Sequence, residues 1–285
     1  MTTRILVPID EVNPHHPALL TAARFMPHAE IHWLNVSPGR PSPGDRKDTR
    51  KEVMDSLVQT NVSSQGQVIH APSVADAILT HLNQHSFDLV WMGTTRKGQL
   101  QRLRLGSVAA RVERDAPVPV VTVPMSIPLP DPAPTPLKVL LMHDFSEPAE
   151  AALAVLRAHF GAAHVDLVHV VYPAALSAPL PTPVALSGRM SSLTILEQRN
   201  RTWRAEATHR LSLLGGGQVI EGEPGQVALR MLEEGRYSLL ALGKSSKGWL
   251  DRQVFGSTAQ HLVRCSPIPV LTVGPHCSSP GPRAS

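Results

Sequence analysis

Short apolar runs alternate along the chain with longer stretches in which apolar residues recur at every third or fourth position. The runs Ile5–Ile9, Asp88–Met92, Val165–Val171 and Leu239–Leu242 are apolar nearly throughout instead of alternating with polar residues. That is the pattern of strands buried on both faces. Ala18–Phe25, Val74–Leu82, Ala149–His159 and Val227–Leu232 have helical spacing. Each half of the chain therefore reads βαβαβαβαβ. Strands that alternate with helices predict a parallel sheet covered on both sides, with ligands bound outside the C-terminal strand ends where strand order reverses.

The chain also repeats itself. Leu105-Gly106-Ser107 recurs as Phe255-Gly256-Ser257, and Pro117-Val-Pro-Val-Val-Thr-Val123 as Pro267-Ile-Pro-Val-Leu-Thr-Val273, both at an offset of 150 residues. Nearer the start of each half, Ile5-Leu-Val-Pro-Ile-Asp10 matches Val139-Leu-Leu-Met-His-Asp144 at an offset of 134. The second copy thus carries about 16 extra residues, placed by the proline-rich stretch Tyr172 to Val184, which reads as a loop. Between the copies, Pro124 to Pro136 holds six prolines in thirteen residues, incompatible with regular helix or a central strand. The domains are accordingly 1–124 and 137–275, with a stiff linker at 125–136 and a tail at 276–285.

Composition narrows the class further. With 285 residues, 42% hydrophobic and 18% charged, each half can bury a core, and wholesale disorder is excluded. A net charge of +4 without a dense Lys/Arg block argues against a nucleic-acid surface while leaving anionic small ligands open. Cys265 and Cys277 make neither a disulfide framework nor a CxxC pair, which suits a reducing cytosol. No secretory leader is read at the N-terminus, and no apolar stretch has the length of a membrane helix, so a cytoplasmic protein without a membrane partner is expected.

Three places in each copy fall at strand ends. Asp10 and Asp144 close the first strands; such a carboxylate can accept bonds from a base or ribose, or it can cap the following helix. The loops Gly93-Thr-Thr-Arg-Lys-Gly98 and Gly243-Lys-Ser-Ser-Lys-Gly248 follow the fourth strands. Their glycines permit close backbone approach, and Arg96, Lys97, Lys244 and Lys247 supply positive charge, although a solvated surface loop has the same composition. Gly106-Ser107 and Gly256-Ser257 each open a helix, where free N–H groups favour phosphate, and where serine is also a common N-cap.

A strand-one acid, a Gly-x-x-x loop, nine residues, Gly-Ser and a closing Pro-Val-Pro-Val-Val-Thr-Val together resemble the universal stress protein family in its tandem two-domain form. The likeness spans nearly the whole chain. It implies two α/β repeats, each a five-stranded parallel open sheet with helices on both faces, Rossmann-like and similar to the adenine nucleotide alpha hydrolases. It further implies that terminal strands (Val118 to Val123 and Ile268 to Val273) meet across a two-fold axis, an internal pseudo-dimer that can pair again as a homodimer. The family signature G-x2-G-x9-G-[S/T] is matched in spacing by Gly93 to Arg96 with Gly106-Ser107, and by Gly243 to Ser246 with Gly256-Ser257. Arg96 and Ser246 each stand where the signature has a glycine. By the resemblance, Asp10 and Asp144 lie at adenine, Val36 and Val170 beside base or ribose, and Gly93, Gly106, Ser107, Gly243, Ser246, Gly256 and Ser257 at ribose and phosphates. The implied cofactor is ATP or another adenine nucleotide. Ser246 is smaller than Arg96 and can donate to phosphate, which favours the second copy.

Other motifs carry less. Gly243-Lys-Ser resembles the end of a Walker A loop, but Ser238, five residues before Gly243, belongs to a strand. His81-Leu-Asn-Gln-His85 has zinc-helix spacing, yet Leu82 stands where a metalloprotease needs glutamate. Cys265 reads as half-buried and Cys277 as the exposed thiol of a Ser/Pro tail. No general base, metal set or nucleophile–base pair assembles at the strand ends, which argues against an efficient enzyme. The expectation is a stress-response protein acting by binding and regulation; the alternatives are a protein-interaction or sensory module without nucleotide, and weak ATP hydrolysis.

Overall fold

The computed structural model describes residues 2–10, 16–37, 64–94, 106–125, 136–171, 189–244, 257–274 and 277. The first copy contributes β1 (Arg4–Ile9), α1 (Pro17–Phe25), β2 (Glu30–Ser37), β3 (Ser64–His70), α2 (Val74–Gln84), β4 (Leu89–Thr94), α3 (Ser107–Asp115) and β5 (Val120–Pro124). The second contributes β6 (Lys138–Met142), α4 (Glu147–His159), β7 (His164–Val171), α5 (Arg189–Leu213), β8 (Gln218–Glu221), α6 (Pro224–Glu233), β9 (Leu239–Gly243), α7 (Ser257–Cys265) and β10 (Val270–Val273). The proline-rich stretch 172–184 and most of the linker lie outside the described residues.

All ten strands form one sheet in the order β3-β2-β1-β4-β5-β10-β9-β6-β7-β8. Within each copy every strand pair is parallel. The copies join where β10 runs antiparallel to β5, with Leu271 opposite Val121 and Thr272 opposite Val120. Strand order reverses between β1 and β4 and again between β6 and β9, which opens a crevice at their C-terminal tips.

Local chemistry explains the boundaries. β5 and β10 begin two residues later than the apolar pattern suggests, because Pro117, Pro119, Pro267 and Pro269 bring no N–H to a ladder. Pro119 and Pro269 instead accept through their carbonyls from Val90 N (2.9 Å) and Leu240 N (3.0 Å). Ser73 caps α2 and Ser146 caps α4 through their hydroxyls, and Glu223 caps α6 by accepting from Gly225 N and Gln226 N. Gly222, at φ +151°, makes the turn that delivers Glu223 to that position.

The two faces of the sheet differ. On one face a single hydrophobic core runs across the joint, from Leu19 and Ala22 of α1 through Trp91, Val121 and Leu271 to Leu153 and Leu156 of α4. Trp91 and Phe160, from different copies, bring their ring centroids within 6.3 Å. On the other face the core is split in two, one part under α2 and α3 and the other under α6 and α7. The shared side holds the copies together; the divided side leaves each copy its own crevice.

Candidate functional site

A cavity of about 270 Å³ opens at the tips of β1 and β4 in the first copy. Asp10 from the end of β1, Val36 from β2 and Gly93 from β4 all line it, alongside Ile78 of α2 and Val108 and Ala109 of α3. Three of the expected first-copy residues are therefore gathered around one space, and Gly106 and Ser107 adjoin it in sequence. Gly106 occupies the N-cap position, so Ser107 is the first helical residue and not the cap. A glycine cap has no side chain to accept the first N–H groups of α3. These donors, with the positive end of the helix dipole, suit an anion.

Asp10 is well exposed and sits 3.4 Å from Nε2 of His16, whose own side chain is buried. Asn35 fixes this tip by donating from Nδ2 to the Ile9 carbonyl at 3.1 Å. The strand β4 extends through Gly93 and Thr94, so the expected loop starts later, and Thr94 ties down its end by donating to the Val123 carbonyl. His16 and Met125 also line the cavity. Neither was singled out by its sequence. Met125 follows directly on β5, whose tip neighbours β4, and that adjacency is the signal that would have placed it.

The second copy presents the same positions differently. Asp144 is exposed and accepts from Ser146 N at 3.0 Å and from the Ser146 hydroxyl, so its carboxylate stabilises the turn into α4. His169, the counterpart of Asn35, bonds through Nδ1 to the His143 carbonyl at 2.7 Å, preserving the strand-tip link. Val170 is half-buried in β7. Gly243 packs so tightly on α4 that a Cβ there would run into the backbone of Pro148 and Ala149. Lys244, expected to offer its charge to a ligand, is buried instead and reaches across the joint to Glu113 of α3. Ser246, Gly256, Arg96, Lys97 and Lys247 lie outside the described residues, as does the side chain of Ser257.

Of the two thiols only one sits as expected. Cys265 is half-buried, as read, but Cys277 is buried, with its sulfur accepting from Gly274 N at 3.3 Å. Burial pushes the Cys277 thiol above its ordinary value, the reverse of an exposed, reactive cysteine. His81 and His85 lie with ring centroids 4.4 Å apart, and burial followed by the neighbouring His85 lowers the His81 pKa. Among the described residues no group of three or more His, Cys, Asp or Glu side chains is placed to hold a metal, and no helix is long and apolar enough to cross a membrane.

Two doubly wound, Rossmann-like α/β halves, fused in tandem and sharing one sheet, define the class of this protein. The chain belongs to the universal stress protein family, whose profile matches it twice, over residues 1–124 and 137–274. Among solved structures it is similar to a functionally unknown protein from Pseudomonas aeruginosa PAO1, with a TM-score of 0.65 at 16% identity over 96% of this chain and 93% of that one. It is also similar to a universal stress protein from Archaeoglobus fulgidus DSM 4304, with a TM-score of 0.59 at 18% identity over 95% of this chain and 98% of that one. At such identities the likeness is one of fold. A search of curated proteins returns no match.

Proposed function

We propose that this universal stress protein acts by binding and regulation, and that its first copy takes the base and ribose of an adenine nucleotide in the cavity at the tips of β1 and β4. The observation that carries this reading is the convergence of Asp10, Val36 and Gly93 on one space beside the start of α3. Apolar walls from Val36, Ile78 and Val108 suit a purine face, the Asp10 carboxylate suits its exocyclic amine or a ribose hydroxyl, and the uncapped helix start suits phosphate. In the second copy, Gly243 and Lys244 are committed to packing and to the joint. That commitment moves the preference from the second copy, favoured by its smaller loop residue, to the first.

Purified protein should release an adenine nucleotide on extraction, read by mass spectrometry, or take up ATP in a calorimetric titration. Asp10→Ala should weaken that binding about tenfold, the loss of one hydrogen bond to a charged group, while Asp144→Ala leaves it unchanged. A loss confined to Asp144→Ala would move the site to the second copy. Absence of nucleotide in both experiments would leave the scaffold as an interaction or sensory module.

A further inference from the structure

At the C-terminal end of α2, outside the lining of the cavity at β1 and β4, two imidazoles stand side by side. His81 and His85 are one helical turn apart, with ring centroids 4.4 Å apart and planes inclined at 48°. His85 N donates to the His81 carbonyl at 3.1 Å, which closes the turn that carries both rings. The buried Phe87 packs against each, its centroid 5.7 Å from that of His81 and 6.3 Å from that of His85. His81 is half-buried and His85 is exposed, so solvent reaches the pair.

Neither ring makes a hydrogen bond or an ion pair among the described residues. The other polar groups around Phe87 are engaged. His32 also packs on Phe87, at 5.3 Å, but its Nε2 lies 2.7 Å from Glu30 Oε1. The Arg4 guanidinium, over the Phe87 ring at 5.3 Å, is paired with Glu30 at 3.5 Å and donates to the Ser86 carbonyl at 2.7 Å. The fold itself does not require the two imidazoles: 150 residues later, the matching positions of the second copy hold Met231 and Gly235.

We propose that His81 and His85 together bind one late first-row divalent metal ion, of the nickel(II) or copper(II) class, through one nitrogen of each ring, with water completing the coordination. Histidines at i and i+4 on a helix present both rings to one ion. At metal–nitrogen distances of about 2.0–2.1 Å, the ring centroids lie about 4.5 Å apart when the two bonds meet at a right angle, and about 5 Å apart at the tetrahedral angle. The spacing of 4.4 Å matches the right angle, which belongs to the tetragonal ions Ni(II) and Cu(II) and not to zinc. The negative end of the α2 dipole favours a cation at this place. Burial first, then the nearby His85 and His32 rings, lower the His81 pKa, which keeps that ring neutral and able to offer a lone pair at neutral pH. The site is independent of nucleotide binding at β1 and β4.

The probe is Ni(II) alone, titrated into the full chain by calorimetry at neutral pH, with thermal unfolding as a second readout. The expected result is one tightest ion per chain and a rise in Tm as the ion is added, because an ion that binds only the folded chain stabilises it. His81→Gln and His85→Gln should each weaken binding about tenfold or more, since the second ring acts at a high effective concentration, and should remove the rise in Tm. Zn(II) should bind more weakly than Ni(II). Cys265→Ser removes the thiol that lies 3.7 Å from His261 Nδ1, the other pair of metal-binding side chains one turn apart on a helix, and should leave Ni(II) binding unchanged. Absence of saturable binding, indifference to both histidine variants, tighter binding of Zn(II), or loss of the ion in Cys265→Ser would each overturn the proposal.

Discussion

Glu113 and Lys244 form an ion pair of 3.5 Å across the joint between the two copies, with both side chains almost wholly buried. Thr272 of β10 donates to the same carboxylate oxygen at 2.9 Å, and Lys244 also donates to the Glu113 carbonyl. Burial pushes the Glu113 carboxyl above the usual range, partly offset by the nearby Lys244 charge and the Thr272 hydrogen bond. A buried pair of this kind costs most when only one partner is removed, because the other charge is left without compensation. Lys244→Met should therefore destabilise the protein by about 3–5 kcal/mol in urea denaturation. Adding Glu113→Gln to it should recover much of that loss. Equal stability of the single and double variants would show that the pair does not act as a unit.

Gly93 and Gly243 occupy equivalent positions at the ends of β4 and β9, yet their surroundings differ in kind. A Cβ on Gly93 would meet Met125 Sδ, the movable end of a flexible side chain, at 2.5 Å. One on Gly243 would meet backbone atoms of α4, which cannot step aside without moving the helix. Gly243→Ala should cost about 1–3 kcal/mol as overpacking does, whereas Gly93→Ala should cost less, and combining it with Met125→Ala should restore the room it takes up. Thermal unfolding of the three variants tests the ranking.

These contrasts mark where sequence reading succeeds and where it stops. The repeat was legible because Gly106-Ser107 and Gly256-Ser257 recur in the same frame as the closing strands, and the parallel sheet because β1 and β4 are apolar on both faces. The antiparallel meeting of β5 and β10 was expected from the family resemblance and not from periodicity, which places no strand beside another. Lys244 was misplaced because its partner Glu113 is 131 residues away, and a lysine in a Gly/Ser loop reads as exposed until that partner is known. Cys277 was misplaced for the same reason: its neighbourhood in the chain is polar, while its neighbourhood in space is the core that runs across the joint.

The burial of Cys277 has a direct chemical consequence. Its thiol is sheltered and its pKa raised by burial, so little thiolate forms at neutral pH. Cys265 is partly accessible, with its sulfur 3.7 Å from His261 Nδ1. A thiol-reactive chromophore such as 5,5′-dithiobis(2-nitrobenzoate) should label Cys265 first and reach Cys277 only as the protein opens. Cys265→Ser should remove the fast phase and Cys277→Ser the slow one. The opposite assignment would mean that the tail leaves the thiol open to solvent.

His143 supplies a pH dependence whose sign is fixed by its surroundings. Its side chain is buried just beyond β6, its Nδ1 accepts from Phe145 N at 3.2 Å, and its Nε2 has no hydrogen-bond partner among the described residues, with Glu150 Oε1 at 3.8 Å. Burial lowers its pKa below the ordinary 6.5; Glu150 and Asp144 oppose the shift, and His169 and Arg210 add to it. The unfolded chain thus binds this proton more readily than the folded one. Its contribution to stability is full above the unfolded value and is lost as pH falls through that value toward the folded one. Protonation would also cancel the acceptor at Nδ1 that helps hold Phe145 in its left-handed conformation, φ +59°, with its ring tilted against that of His169 at a centroid distance of 4.5 Å. Urea midpoints should therefore drop between about pH 7.5 and about pH 5.5, and His143→Gln should reduce that drop. Because the pKa of His81 is lowered as well, part of the drop should remain in the variant. A pH dependence identical in the two proteins would mean that His143 keeps its proton balance on folding, and the assignment would be lost.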